Sequence, residues 1–139
     1  MSRIKDYYTI KLHDTDAAGI LFFANQFKIV HDLYQRFLDE IGFPLQERFA
    51  SGDFSLPIVH AEADFYAPLT VGDTVEVSLG VAAIDKTSFT LEYQIIDLDG
   101  KEVGSAKTTH VTVNPKTRGK ITLPKSFRTA LEQAAENQD

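Results

Sequence analysis

Hydrophobic and polar positions change period part-way along this chain, and the change divides it into a helical and an extended part. From Asn25 to Ile41 the apolar residues Phe27, Val30, Tyr34, Phe37, Leu38 and Ile41 recur at steps of three and four, while Lys28, Asp32, Gln35, Arg36 and Asp39 fall on the other arc. This spacing predicts a helix. Ile29 and Leu33 widen its apolar stripe to about half the circumference, more than the ~100° that rests on one partner surface, so something must wrap around it. Gly42 and Pro44 mark its end, because Gly suits the position past the last turn and Pro cannot continue the ladder. Ahead of the helix, Lys5 to Leu12 read as a strand and His13 to Gly19 as a polar loop; a short helical turn is expected near 45–50.

After that turn the period becomes two. Val59, Ala61, Ala63 and Phe65 alternate with His60, Glu62, Asp64 and Tyr66 over 58–67, and Pro68 with Val71-Gly72-Asp73 closes the run. Val75, Val77, Leu79 and Val81 alternate with Glu76, Ser78, Gly80 and Ala82. After a tight connection at Asp85-Lys86-Thr87, Phe89, Leu91, Tyr93 and Ile95 alternate with Thr90, Glu92 and Gln94. Asp99-Gly100 is a hairpin signal. A last strand is expected from Lys101 to Val113, ended by Asn114-Pro115, with a terminal helix over Ser126–Gln133. Strands of about 10–13 residues reach ~35 Å and a 17-residue helix ~25 Å, so a twisted antiparallel sheet of this size can curl around the helix. The expected class is an α+β layer with one central helix.

Composition narrows what this layer can do. A chain of 139 residues with 43% hydrophobic content makes one domain, and 24% charged with 11% aromatic residues lacks the signature of disorder. Without cysteine there is no disulfide, Cys-ligated zinc, iron–sulfur cluster or thiol nucleophile. The first residues carry no apolar targeting region and no stretch approaches 18 apolar residues, so a soluble cytoplasmic protein without membrane contact is expected. A net charge of -6 disfavours nucleic acid. Residues 101–128 nevertheless hold seven cations against Glu102 alone, leaving open either a local anionic ligand or plain solubilising residues.

The polar loop holds Asp14-Thr15-Asp16, two carboxylates one residue apart. A calcium loop would need a carboxylate or amide where Ala18 stands and a bidentate Glu where Asn25 stands, and a phosphotransfer pair would need alternating β-α units. His13, His31, His60 and His110 show no zinc spacing, so no metal is expected. Hydrolysis of an activated acyl group fits better. A carboxylate attacks or deprotonates water, amides at the helix start hold the oxyanion, and a thiol of pKa near ~8.5 leaves without much help. On the residues alone, simple capping of the helix by Asp14, Asp16 or Asn25 is the favoured reading.

The run from Asp14 through Gly19 to Ile20-Leu21-Phe22-Phe23-Ala24-Asn25-Gln26-Phe27 resembles the D-x-D-x-x-G-[IV]-[VL]-[FY]-x-x-x-[YF] signature of the 4-hydroxybenzoyl-CoA thioesterase family. Phe65-Tyr66-Ala67-Pro68 followed by Gly72-Asp73 resembles a second family landmark, and the likeness covers about residues 5–125. It implies a hotdog fold over residues 1–139, a long central helix wrapped by a five- to six-stranded antiparallel sheet. It also implies an acyl-CoA substrate, no cofactor, Asp16 as the catalytic carboxylate and the backbone N–H of Phe23 as the oxyanion donor. Phe22 and Phe23 make the entrance apolar, which suits a fused aromatic acyl group and equally a fatty chain. Lys86, Lys107 and residues from Lys116 to Lys120 are candidates for the CoA phosphates, and His60, Glu62 and Asp64 share a strand face for the pocket or for solvent. An isolated sheet would leave an edge exposed, so a dimer or tetramer with the site at the subunit interface is expected. The rival readings are a hotdog hydratase, whose His–acid spacing His13 and Asp16 do not match, and a non-catalytic acyl-CoA-binding module.

Overall fold

The three-and-four spacing becomes α1, Asn25–Glu40, which buries Ile29, Val30, Leu33, Tyr34, Phe37 and Leu38. This computed structural model describes residues 3–138. A strand β1 (Ile4–Thr9) precedes α1, and a short helix α2 (Leu45–Ser51) follows it. The period-two region forms β2 (Ile58–Phe65), β3 (Thr74–Ile84), β4 (Ser88–Asp97) and β5 (Glu102–Val111), and the chain closes with α3 (Lys125–Glu136). The five strands make one sheet, in the order β1-β3-β4-β5-β2, antiparallel throughout. The expected α+β hotdog architecture is the one observed, with five strands.

The centre of the sheet follows the sequence pattern closely. Val75, Val77, Leu79 and Val81 of β3 and Phe89, Leu91, Tyr93 and Ile95 of β4 are all buried beneath the helices. Each such side chain removed from water stabilises the fold by about 1.5–3 kcal/mol. Glu76, Thr90, Glu92 and Gln94 lie on the opposite face, half-buried.

Three expectations change. β1 stops at Thr9 rather than Leu12, because its last partner, Thr74, is where β3 begins; Ile10 then bonds to the preceding turn, and Leu12–Asp14 coil into a 3-10 turn. α3 runs further than 126–133 because Ala134 and Ala135 continue its apolar face onto the core. Its Phe127 is fully buried in an aromatic nest with Phe43, Phe54 and Phe89.

The largest departure is β2. Its alternation leads one to expect a covered apolar face, yet every residue except the half-buried Ala63 is exposed. The reason is position: α1 packs across β1 and β3, α3 across β3, and β2 overhangs beyond β5. Among the described residues, no helix is long and apolar enough to cross a membrane.

Candidate active site

The loop between β1 and α1 is held by Asp14. Its carboxylate is fully buried and accepts the Tyr8 hydroxyl at 2.6 Å, the Lys11 N–H at 2.8 Å and the Lys28 ammonium at 2.9 Å. Its carbonyl accepts the Phe22 N–H and the Asn25 side-chain amide, both at 2.9 Å. Burial pushes the Asp14 carboxyl up, but these donors outweigh it and hold the group at about 2. Burial and the adjoining carboxylate push the Tyr8 phenol well above its ordinary range. Asp14 is thus a fixed anion that ties the loop to the start of α1.

Two residues later the environment reverses. Asp16 is exposed, and its Oδ1 accepts the N–H of Ala18 at 2.9 Å in a tight turn. The Asp16 carbonyl accepts the Gly19 N–H at 3.0 Å, and Gly19, with φ at 81°, supplies the left-handed conformation that closes the turn. The loop is then pinned to the segment after β2 by the Leu21 N–H, which donates to the Leu69 carbonyl at 2.7 Å. A cleft of about 370 Å³ opens here, walled by Ile20, Leu21, Phe23, Gln26 and the segment Phe65 to Leu69, with Asp16 at its rim. Phe23 and Phe65 meet edge-to-face at 6.5 Å.

Among the described residues no side chain caps α1. Its N-cap is Ala24, which overturns the capping reading of Asp14, Asp16 and Asn25. The N–H groups of Asn25, Gln26 and Phe27 fold back onto the carbonyls three residues earlier. Those of Phe23 and Ala24 donate to no acceptor among the described residues. Free donors at the positive end of a helix are suited to an anionic oxygen.

Gln26 fixes where that helix end sits. Its buried amide donates to the carbonyls of Asp64 on β2 and Ser105 on β5, both at 3.0 Å. Gly104 makes room for it, since a Cβ there would stand 2.9 Å from the amide. Sequence reasoning missed this residue, although a lone amide on an apolar helix stripe is a visible signal. It missed the anchoring role of Asp14 for want of one: Tyr8 and Lys28 converge on it only in three dimensions.

The other candidates lie elsewhere in the subunit. His60, 3.0 Å from Glu62, occupies the face of β2 turned away from α1. Lys107 lies on that face too, between its register partners Glu62 and Glu92 in a shallow, charged depression. Lys86 is exposed on the β3–β4 turn, at the far end of the sheet from Asp16. Within one subunit, Asp16 and Phe23 share the cleft and these three do not line it.

The fold and the loop geometry agree with what comparison finds. A family model described as the thioesterase-like superfamily matches residues 10–131. The chain belongs to that superfamily. This thioesterase-like chain is 38% identical over 133 residues to the 1,4-dihydroxy-2-naphthoyl-CoA hydrolase of Crocosphaera subtropica, covering 94% of this chain and 95% of the relative. A crystal structure of a 1,4-dihydroxy-2-naphthoyl-CoA thioesterase from Synechocystis superposes with a TM-score of 0.85 at 32% identity, covering 91% and 93% of the two chains. A gentisyl-coenzyme A thioesterase superposes at 0.81, also at 32% identity, covering 92% and 99%. The expectation of a thioester hydrolase on a hotdog scaffold therefore stands.

Proposed function

We propose that the protein hydrolyses aromatic acyl-CoA thioesters, with 1,4-dihydroxy-2-naphthoyl-CoA of phylloquinone (vitamin K1) synthesis as its substrate, in a dimer or tetramer whose sites lie between subunits. The observation that carries the reading is the pairing of one exposed carboxylate, Asp16, with a Phe23 N–H that has no acceptor among the described residues, across a largely apolar cleft. The cleft is too apolar to select a sugar or a free phosphate and its aromatic walls suit a planar ring. The names of the relatives supply the particular ring.

In this reading the thioester carbonyl oxygen sits on the Phe23 N–H, which stabilises the charge that develops as the carbonyl carbon is attacked. As nucleophile, Asp16 forms a mixed anhydride while the C–S bond breaks and CoA leaves as thiolate; water then cleaves the anhydride. As general base, Asp16 takes a proton from water, the hydroxide adds to the carbonyl, and the departing thiolate recovers the proton. Both routes need the same placement. Oxygen-18 from solvent appearing in Asp16 after a single turnover distinguishes the first from the second.

The test is release of free thiol from naphthoyl, benzoyl and palmitoyl CoA thioesters, with naphthoyl turned over fastest. Asp16→Asn should lower kcat by about 10²–10⁴-fold. Its stability should stay within about 0.5 kcal/mol of wild type, because the Asn oxygen still accepts the Ala18 N–H. Near-normal turnover in this variant would remove Asp16 from the chemistry.

A further inference from the structure

The Gln26 amide has an end that the bracing of α1 does not use. Its Nε2 carries two hydrogens, and both are spent on the carbonyls of Asp64 and Ser105. Reversing the amide would set its oxygen against those two carbonyl oxygens, so its orientation is fixed. Oε1 accepts from no donor among the described residues. Gln26 nevertheless lines the Asp16 cleft, and Oε1 is the polar atom it has left to offer there. A buried amide oxygen is ordinarily paired, so one left over at a cleft wall points to a ligand that brings the donor.

Position in the cleft says what kind of donor this is. The Gln26 N–H donates to the Phe23 carbonyl at 3.2 Å, and side chains three apart in so tight a turn lie one above the other. Gln26 therefore follows Phe23 along the same wall. Asp16 is exposed at the rim, where water reaches it from solvent; Gln26 is 2% exposed, its amide laid flat on Gly104, where a Cβ would stand 2.9 Å from both Nε2 and Oε1. A donor for Oε1 thus arrives with the group that fills the inner end of the cleft. The walls beside it are Leu21, Phe23, Phe65, Pro68 and Leu69, so a single acceptor stands in an apolar slot and fixes one point of recognition.

We infer that Gln26 is a specificity-determining residue whose Oε1 accepts a hydroxyl carried on the acyl ring next to the carbon that bears the thioester. With the thioester carbonyl on the Phe23 N–H, a hydroxyl on the adjacent ring carbon is the one that falls beside the next turn of the chain, where Gln26 stands. A hydroxyl further round the ring points away from it. A ring without the adjacent hydroxyl leaves Oε1 buried and unpaired, and a site built to bond a hydroxyl discriminates against the analogue that lacks it. The inference rests on the thioesterase reading and deepens it by naming the substrate class, adjacent-hydroxyl aryl thioesters, and the atom that selects it.

Thiol release from the CoA thioesters of 1-hydroxy-2-naphthoate, 4-hydroxy-2-naphthoate and 2-naphthoate tests it. Wild type should show a KM about 10-fold lower for the first ring than for the other two, the worth of one buried hydrogen bond. Gln26→Met keeps the length of the side chain and removes the acceptor. It should raise KM for the first ring about 10-fold more than for the others and so abolish the ranking. Loss of the anchor to β2 and β5 acts on all three rings alike, and each ring's own reactivity cancels in the ratio of variant to wild type, so the change in ranking separates recognition from bracing. Gly104→Ala, whose added Cβ pushes the amide aside, serves should Gln26→Met melt early, and should narrow the ranking in the same direction. A wild type that treats the three rings equally overturns the inference, as does a folded variant that keeps the wild-type ranking. A fall in kcat shared by all rings with the KM ranking intact assigns Oε1 to the attacking water and overturns it too. If wild type releases no thiol from any thioester, the thioesterase reading fails and takes the inference with it; if wild type is active and does not rank the rings, only the inference falls.

Discussion

The floor beneath α1 and the overhang at β2 belong to one sheet and follow opposite rules. In the floor, β4 alternates cleanly, the inward residues of β3 and β4 are buried, and the aromatic nest around Phe127 closes one end. At the overhang, an equally regular alternation leaves Phe65 half exposed and, among the described residues, the outer strand edge unpaired, next to a helix start with free amides. Stability resides in the first region, where polar and apolar groups find partners inside the chain. The second keeps groups unsatisfied, and unsatisfied groups are what a substrate or a second subunit can complete.

A pair of truncations separates the two regions most sharply. Phe127→Ala should cost about 3–5 kcal/mol in urea denaturation, since a fully buried ring leaves a cavity that the sheet cannot close. Phe65→Ala should cost less than about 1 kcal/mol yet raise KM for the aryl thioester. Comparable stability losses at both positions would erase the distinction between floor and overhang.

Acid should weaken the floor through His110. Burial, reinforced by the nearby charge of His31, pushes its imidazole down to about 4. The native state therefore keeps it neutral while the unfolded chain takes up a proton near 6.5, so its contribution is whole above that pH and is lost on descent towards 4. The loss between pH 7 and 5 should be about 2 kcal/mol by urea titration, and His110→Asn should flatten that slope. A slope that survives the substitution would assign the acid sensitivity to other groups.

Asp14 sits on the seam between the regions. With a carboxyl held at about 2 against an ordinary 3.8, it contributes about 2 kcal/mol that is present above pH 4 and disappears as pH falls to 2. Asp14→Asn should lose this amount at pH 7, measured by thermal or urea unfolding, and should slow turnover as the Asp16 turn and the α1 start lose their common anchor. A variant of unchanged stability would show that Tyr8 and Lys28 do not depend on it.

Much of the molecule was legible in one dimension because helix and strand periodicity is local. The extent of α1, the inward faces of β3 and β4, the Asp99-Gly100 hairpin and the loop carrying Asp16 all follow from spacing within a few residues, and the family follows from the motif around that loop. Tertiary structure alone decided what depends on distant parts of the chain meeting. It buried Asp14 under Tyr8 and Lys28 while leaving Asp16 open, sent the Gln26 amide across to β2 and β5, and turned His60 and Lys107 onto the opposite face from the cleft. It also left β2 bare. An alternating pattern states that a strand has an apolar face; which surface covers that face is a property of the assembled layers, and here the helices leave every residue of β2 but Ala63 exposed.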